Sequence, residues 1–182
     1  MDGKRRCAWC NPKNAVYVAY HDGEWGRLFP DDTYLYEMLV LESFQAGLSF
    51  ECVLNKREAF RAAFDAFDRE KVASYTPDKI EDLMRDKRII RNRGKIEAAV
   101  KNAAIFGAVA EEYGSFGAYL RSFVGDTVLQ EVGKTQSALS DAISADLRAR
   151  GMCFVGSRIV YAYLQAIGLI DSHEVGCFLH KG

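Results

Sequence analysis

Five residues near the two ends of the chain are of metal-binding type: Cys7, Cys10 and His21 toward one end, His173 and Cys177 toward the other. Two thiolates and two imidazoles make a tetrahedral zinc set. Four protein ligands leave no open position, so such a metal is structural and does no chemistry. His173 and Cys177 are four apart, the spacing that puts two side chains on one helical face. Cys7-x2-Cys10 is itself a metal-type spacing, so either cysteine can be the partner of His21. The plainer reading is that His21 is an ordinary loop residue and Cys177 a small buried hydrophobe. A zinc held this way would tie the ends of the chain together.

Between the first of these ligands and Phe50 runs an aromatic stretch. It holds both tryptophans, Trp9 and Trp25, with Tyr17 and Tyr20, and an acid, Glu42, that closes an apolar run. The expectation is a pocket walled by rings with one carboxyl inside it. Taken singly, the tryptophans read as core and Glu42 as a buried acid paired with an arginine. A second constellation is Gly151-Met-Cys-Phe-Val-Gly156, a glycine-bounded turn between two helical stretches. A helix-hairpin-helix brings such a turn close to a phosphate, whose oxygens the amides of the next helix's N-terminus then bind without regard to sequence. Ser157 can add a hydroxyl and Arg158 a charge. The densest basic stretch, residues 86–95, carries Arg91, Arg93 and Lys95. Singly, the turn reads as a helix C-cap and the cluster as a solvated face.

The elements that position these groups are helices. Residues 1–30 read as irregular, with Val16–Tyr20 alternating weakly, as a short strand or one turn of helix would. Turns are expected at Asp22-Gly23 and Phe29-Pro30-Asp31-Asp32. Asp32 or Thr33 is expected to cap a deeply buried helix over 34–43. Gln45 to Ser49 breaks it, and Ser49 caps a helix to about Phe67. Thr76-Pro77 opens a helix to about Arg85. Further helices are expected from Ile96 to about Phe106, from Ser115 onward, from Ser137 or Ser140 through Leu147, and over 157–166. Residues 125–136 read as a loop. Asp171-Ser-His-Glu174 has the form of a capping box at the head of the ligand-bearing helix. With almost no strand signal, the class is all-α.

Composition bounds the rest. A chain of 182 residues suffices for one large domain or two small lobes, and 49% hydrophobic with 27% charged residues is ordinary for a globular protein. No apolar run approaches the roughly 20 residues of a membrane span. The N-terminus lacks the apolar core of a secretory signal, so a cytoplasmic location is expected, in which five cysteines are thiols or ligands and not disulfides. A formal net charge of -1 leaves any nucleic-acid face to a local basic patch.

Cys7-Ala-Trp9, Tyr17-Val-Ala-Tyr-His-Asp-x-Glu-Trp-Gly26, Leu41-Glu42, Gln45-Ala-Gly-Leu-Ser49, Arg91-x-Arg-x-Lys-Ile96, Phe154-Val-Gly156 and His173-x-Val-Gly-Cys177 together resemble the bacterial 3-methyladenine DNA glycosylase I family, in the family's order and over essentially the whole chain. The resemblance implies one all-α glycosylase domain, 1–182, with the helix-hairpin-helix fold. Its two helical lobes are approximately 1–70 with 169–182, and 71–168, and a structural zinc (one Zn2+ per chain) joins the termini. It puts the metal ligands at Cys7, His21, His173 and Cys177, with Cys7 preferred to Cys10. It puts the base-binding residues at Trp9, Tyr17, Tyr20, Trp25, Glu42 and Phe50, with Tyr20 and Glu42 hydrogen-bonding the lesion and serving catalysis. DNA contacts are expected from Gly47, Leu48, Arg91, Arg93, Lys95, Gly156, Ser157 and Arg158, with Gly47-Leu48 as the wedge that fills the vacated stack. The implied activity is monofunctional hydrolysis of the N-glycosidic bond of 3-methyladenine in alkylated double-stranded DNA, with free 3-methyladenine and an abasic site as products, for which a monomer suffices. Two other classes fit the same residues: a zinc-stabilised module that binds lesions without cutting, and a zinc hydrolase of another substrate. Two positions depart from the family's habit. Family members commonly carry tryptophan where this chain has Phe50. Asp171 stands near the catalytic aspartate of the wider superfamily, where it is either a cap beside the zinc ligand or a stabiliser of charge on the sugar.

Overall fold

The computed structural model describes residues 3–28 and 31–181. The turn expected at Phe29-Pro30 lies outside them. Asn14 accepts hydrogen bonds from the N–H groups of Val16 and Tyr17 and opens α1, Ala15–Gly23. The ambiguous stretch 16–20 is therefore helix, and the region expected to be irregular presents Tyr17, Tyr20 and His21 from one buried face.

Helix α2, Asp32–Gln45, is buried at every position from Leu35 to Phe44. Its cap is Asp31, not Asp32 or Thr33. The Asp32 carboxylate instead accepts from the backbone N–H groups of Phe116 and Gly117, tying the start of α2 to a distant helix. Ser49 caps as expected, but the helix behind it is broken into α3, Phe50–Leu54, α4, Arg57–Ala63, and a 3-10 turn, Asp65–Phe67. Asp65, Ala66 and Phe67 all have positive φ, and this left-handed turn lets Phe64 and Phe67 both bury, stacked 6.0 Å apart. Packing outweighs the helical periodicity there.

Next come α5, Arg69–Ala73, and α6, Pro77–Arg85, the latter capped by Thr76 with Pro77 at its first position. Helix α7, Arg93–Tyr113, is longer at both ends than the apolar pattern suggested, because Asn92 caps it early and Gly114, at φ +84°, ends it late. Helix α8, Phe116–Val124, follows Ser115. The loop beyond it contains a two-residue strand, β1, Leu129–Gln130. Helix α9, Ala138–Ala149, opens with Ser137 and Ser140 bonding reciprocally, and α10, Ser157–Ala166, leads into β2, Ile170–Asp171, which pairs in parallel with β1.

The expected helix over 173–177 does not form. Asp171 accepts the His173 N–H, and the Glu174 carboxylate, instead of closing a capping box, accepts the N–H of Ala8 at 3.0 Å. The segment 172–177 is a series of turns pinned to the N-terminal segment of the chain. One cluster of buried apolar side chains extends from Cys7 to Cys177. Among the described residues no helix is long and apolar enough to cross a membrane.

Candidate functional site

The last turn of α2, the face of α1 and the start of α3 enclose a cavity of about 380 Å³, closed by α10 and the loop after β1. All six residues expected around a base line it: Trp9, Tyr17, Tyr20, Trp25, Glu42 and Phe50. Trp9 is the hub of one wall, its ring 5.0 Å from that of Tyr17 and 4.8 Å from that of Trp25. Tyr20 and Phe50 meet at 5.2 Å.

Glu42 is 3% exposed and has no ion pair among the described residues. The buried acid held by arginine is its neighbour one face away, Glu37, which pairs with Arg57 at 2.6 Å and Arg61 at 2.8 Å. Burial alone pushes the Glu42 carboxyl up to about 8. Its Oε2, the Tyr20 hydroxyl and Gln45 Oε1 are buried without hydrogen-bond partners among the described residues. A native interior rarely leaves three such atoms in one place, because each unmade bond costs about 1–3 kcal/mol. They are groups shaped for a polar ligand, and a carboxyl held neutral by burial ionises readily when a cation enters.

Beside this cavity, Cys7 Sγ, His21 and Cys177 Sγ bring one ligand atom each within 4.8 Å of one another, all three residues buried. Cys177 Sγ stands 3.5 Å from His21 Nε2, close to the about 3.5–3.8 Å that tetrahedral zinc sets between its ligands. His173 lies outside that group of three. Its ring is edge-on to His21 at 5.5 Å, and its Nε2 is another buried atom without a hydrogen-bond partner among the described residues. The remaining nitrogen of each imidazole faces a carboxylate: His21 Nδ1 to Asp22 at 2.8 Å, and His173 Nδ1 to Asp171 at 2.7 Å. Such carboxylate–imidazole pairs orient metal-binding histidines. Burial pushes the Cys7 thiol up to about 12 and lowers the pKa of His21. Cys10 turns away and its thiol lies 3.9 Å from the Tyr17 carbonyl. Asp171 is thus spent on His173, with its other oxygen reached by Gln130 at 3.4 Å, and does not face the cavity as a charge stabiliser.

A second cavity of about 380 Å³ adjoins the first and shares Gln45, Lys134, Ala162 and Gln165 with it. Gly47, Leu48 and Arg158 line this cavity, so the expected wedge and the hairpin helix flank the mouth of the aromatic pocket. Leu48 is 45% exposed on the turn between α2 and α3. Gly156 stands at the N-cap of α10 with no side-chain cap, which leaves that helix end open to an anion. The hairpin is held by Asn102 of α7, whose amide both accepts from the Cys153 N–H and donates to the Cys153 carbonyl at 2.9 Å. The Ser157 hydroxyl is engaged with that of Ser140 at 2.9 Å.

The basic cluster divides. Arg91 is exposed and without an ion pair among the described residues. Arg93 pairs with Glu81 at 2.6 Å and Glu97 at 3.7 Å. Lys95 is buried, and its ammonium donates to two backbone carbonyls, so the expectation of a phosphate contact fails for it: a side chain turned into the core cannot reach DNA.

The model of the methyladenine glycosylase family matches residues 9–180. The chain is 42% identical over 184 aligned residues to DNA-3-methyladenine glycosylase 1 of Escherichia coli (strain K12), covering 97% of each chain. The chain belongs to the methyladenine glycosylase family. Among solved structures, that of 3-methyladenine DNA glycosylase I superposes with a TM-score of 0.93 at 39% identity, over 97% of this chain and 100% of that one. The Staphylococcus aureus 3-methyladenine DNA glycosylase I, whose structure addresses 3-methyladenine recognition, gives 0.90 at 36% identity over 95% of both chains.

Several residues of this family member's site escaped the sequence reading. Gln45 is three residues beyond Glu42 and so on the same helical face, a signal that was available. Asp22 follows His21 directly, and its role as an orienting carboxylate was open to the same reasoning. Val132, Gly133, Lys134, Gln165 and Ser172 reach the cavity from elements far away in sequence, and no local pattern marks them.

Proposed function

We propose that this protein flips an alkylated nucleotide out of double-stranded DNA and hydrolyses the N-glycosidic bond of 3-methyladenine, the activity for which its relatives are named DNA-3-methyladenine glycosylases. The observation that carries this reading is the set of unpartnered oxygens of Glu42, Tyr20 and Gln45 in the wall of an aromatic cavity. Methylation at N3 makes the nucleotide a cation. Electron-rich ring faces attract it, and stacking contributes about 1–3 kcal/mol per base. Glu42 accepts from the exocyclic amine and, once ionised, favours the positive charge. The bond from C1′ to N9 breaks with its electron pair going to the base, which leaves neutral, and water bonds to C1′ and loses a proton to solvent, giving the C1′ hydroxyl of the abasic site. The pocket repays the few kcal/mol of flipping more fully for the damaged base than for an ordinary one.

The cleft between the two lobes, 1–70 with 169–182 and 71–168, receives the duplex. Gly47 and Leu48 fill the gap, and Arg158, Arg91 and the α10 N-terminus meet phosphates. Cys7, His21 and Cys177, with His173 beside them as the fourth ligand, would hold one zinc whose role would be structural, joining the turns 172–177 to the N-terminal segment that carries Trp9. Lys134 lines the cavity, but its ammonium is engaged by Glu131 at 2.9 Å, and the reaction we infer is hydrolytic, with no enzyme–DNA bond.

The test is chromatographic analysis of the purines released from methylated duplex DNA, with borohydride present in a parallel reaction. Free 3-methyladenine and no trapped protein–DNA adduct are expected. Duplex binding without any released base would replace this reading with that of a lesion-binding module.

A further inference from the structure

We propose that Lys95 is a positioning residue for the wedge: its ammonium clamps the carbonyl end of α2 and thereby fixes the turn that presents Gly47 and Leu48 to DNA. Lys95 Nζ donates to the Phe44 carbonyl at 2.8 Å and the Ala46 carbonyl at 2.5 Å. These are among the carbonyls that a helix end leaves without intrahelical partners, and a cation there is favoured by the helix dipole. The residue is 7% exposed, and no carboxylate pairs with it among the described residues. Burial lowers the pKa of its ammonium, yet the two short hydrogen bonds suit only a donor.

The clamp sits where it controls the wedge. Ala46 is the C-cap of α2 and Gly47 follows it directly, at φ +79° and with open space where a Cβ would point. The Leu48 N–H returns to the Gln45 carbonyl at 2.6 Å, closing the turn on the cavity-lining Gln45. Lys95 itself is rigidly based: its N–H is capped by Asn92, and it lies in the first turn of the 21-residue α7. Its ammonium also lies 6.0 Å over the ring of Phe154, the hairpin residue with positive φ. One side chain thus links the two features that flank the mouth of the pocket.

This inference rests on the glycosylase reading, but it has a readout that needs no excision. A duplex with an abasic-site analogue beside 2-aminopurine reports wedge insertion by fluorescence. Wild type is expected to give a fluorescence gain that Lys95→Met loses, and single-turnover release of 3-methyladenine by the variant is expected to fall by about tenfold to hundredfold through misplacement of the wedge. Lys95→Arg should retain part of both. In a Leu48→Ala background, Lys95→Met should add little, because the group it positions is already gone. The slope of log affinity against log salt should stay unchanged. A slope reduced by about 0.9, the signature of one lost phosphate contact, would overturn the proposal, as would an undiminished fluorescence gain or full additivity with Leu48→Ala. If Lys95→Met does not fold, Lys95→Gln, whose shorter side chain carries an uncharged amide in place of the ammonium, is read by the same criteria. Failure of wild type to release base would count against the glycosylase reading alone, since the fluorescence arm still decides the role of Lys95.

Discussion

The imidazole of His173 stands edge-on to the indole of Trp25, ring centroids 4.6 Å apart and planes at 73°. One ring lies beside the Cys7, His21 and Cys177 group and is its proposed fourth ligand, while the other lines the aromatic cavity, so the two sites share a wall. Gly26 makes the approach possible: a Cβ there would come within 2.8 Å of His173 Cε1, and its φ of +75° suits glycine. Disturbing the metal group should therefore reach the pocket.

Elemental analysis of the purified protein is expected to find one zinc per chain, as four protein ligands require. Asp171→Asn should weaken zinc affinity by about 10–100-fold, because the carboxylate orients His173. Chelation should lower Tm and, through Trp25, weaken binding of 3-methyladenine as followed by tryptophan fluorescence. A metal-free protein whose Tm ignores chelator would rule the site out.

Glu42→Gln keeps the shape of the side chain and removes its ability to ionise. Release of 3-methyladenine from alkylated DNA should fall by about 10²–10³-fold, the usual cost of losing one transition-state charge partner. Duplex affinity should persist, since phosphate contacts lie elsewhere. Equal loss in both measurements would mean that Glu42 supports the fold and not the reaction.

The raised pKa of Glu42 has a sign that can be checked. A carboxyl whose folded-state value lies at about 8, above its usual 4.5, favours the folded protein while protonated. That contribution is complete below pH 4.5 and is lost as pH rises through about 8, with a size of a few kcal/mol. Unliganded wild type should lose stability over this window relative to Glu42→Gln. Activity runs the other way: kcat/KM should rise toward pH 8 as the carboxylate forms, and the limb in kcat should lie at lower pH because the bound cation favours ionisation. A pH–rate profile that is flat from pH 5 to 8 in wild type, or that keeps its limb in Glu42→Gln, would refute the assignment.

Phe50 lines the cavity with a smaller ring than a tryptophan would offer for stacking. Phe50→Trp should tighten binding of 3-methyladenine by about 0.5–1 kcal/mol, and Phe50→Ala should weaken it by about 1–3 kcal/mol, if the ring meets the base. Calorimetric titration with the free base measures both. No change in either variant would place the base against other rings.

Much of the pocket was legible because its parts are local. Tyr17, Tyr20, His21 and Trp25 sit within one short segment; Asn14 caps it into helix, so one helical face delivers Tyr17 and Tyr20 to the cavity and His21 to the Cys7 and Cys177 group, with Trp25 just beyond the helix end. Glu42 was visible as an acid at the end of an apolar run. The break after α4 was not legible, because Phe60, Phe64 and Phe67 keep helical spacing while the backbone turns left-handed to bury them. Nor was the shape of the 173–177 segment: its four-residue spacing suggested a helix, but Glu174 was drawn off to the Ala8 N–H.

What the amino-acid sequence determined by itself was the kinds of groups and their short-range order: rings, an acid, thiols and imidazoles, and the caps that start most of the helices. Such information is local, since a cap or a periodicity acts within one or two turns. The tertiary structure alone decided which charges are free. It put Arg57 on Glu37 and left Glu42 without a cation among the described residues, and it turned Lys95 inward while Arg91 stayed outside. Those outcomes depend on which helices pack together, and desolvation in that packing, not residue type, settles whether a charged side chain meets solvent, backbone or ligand.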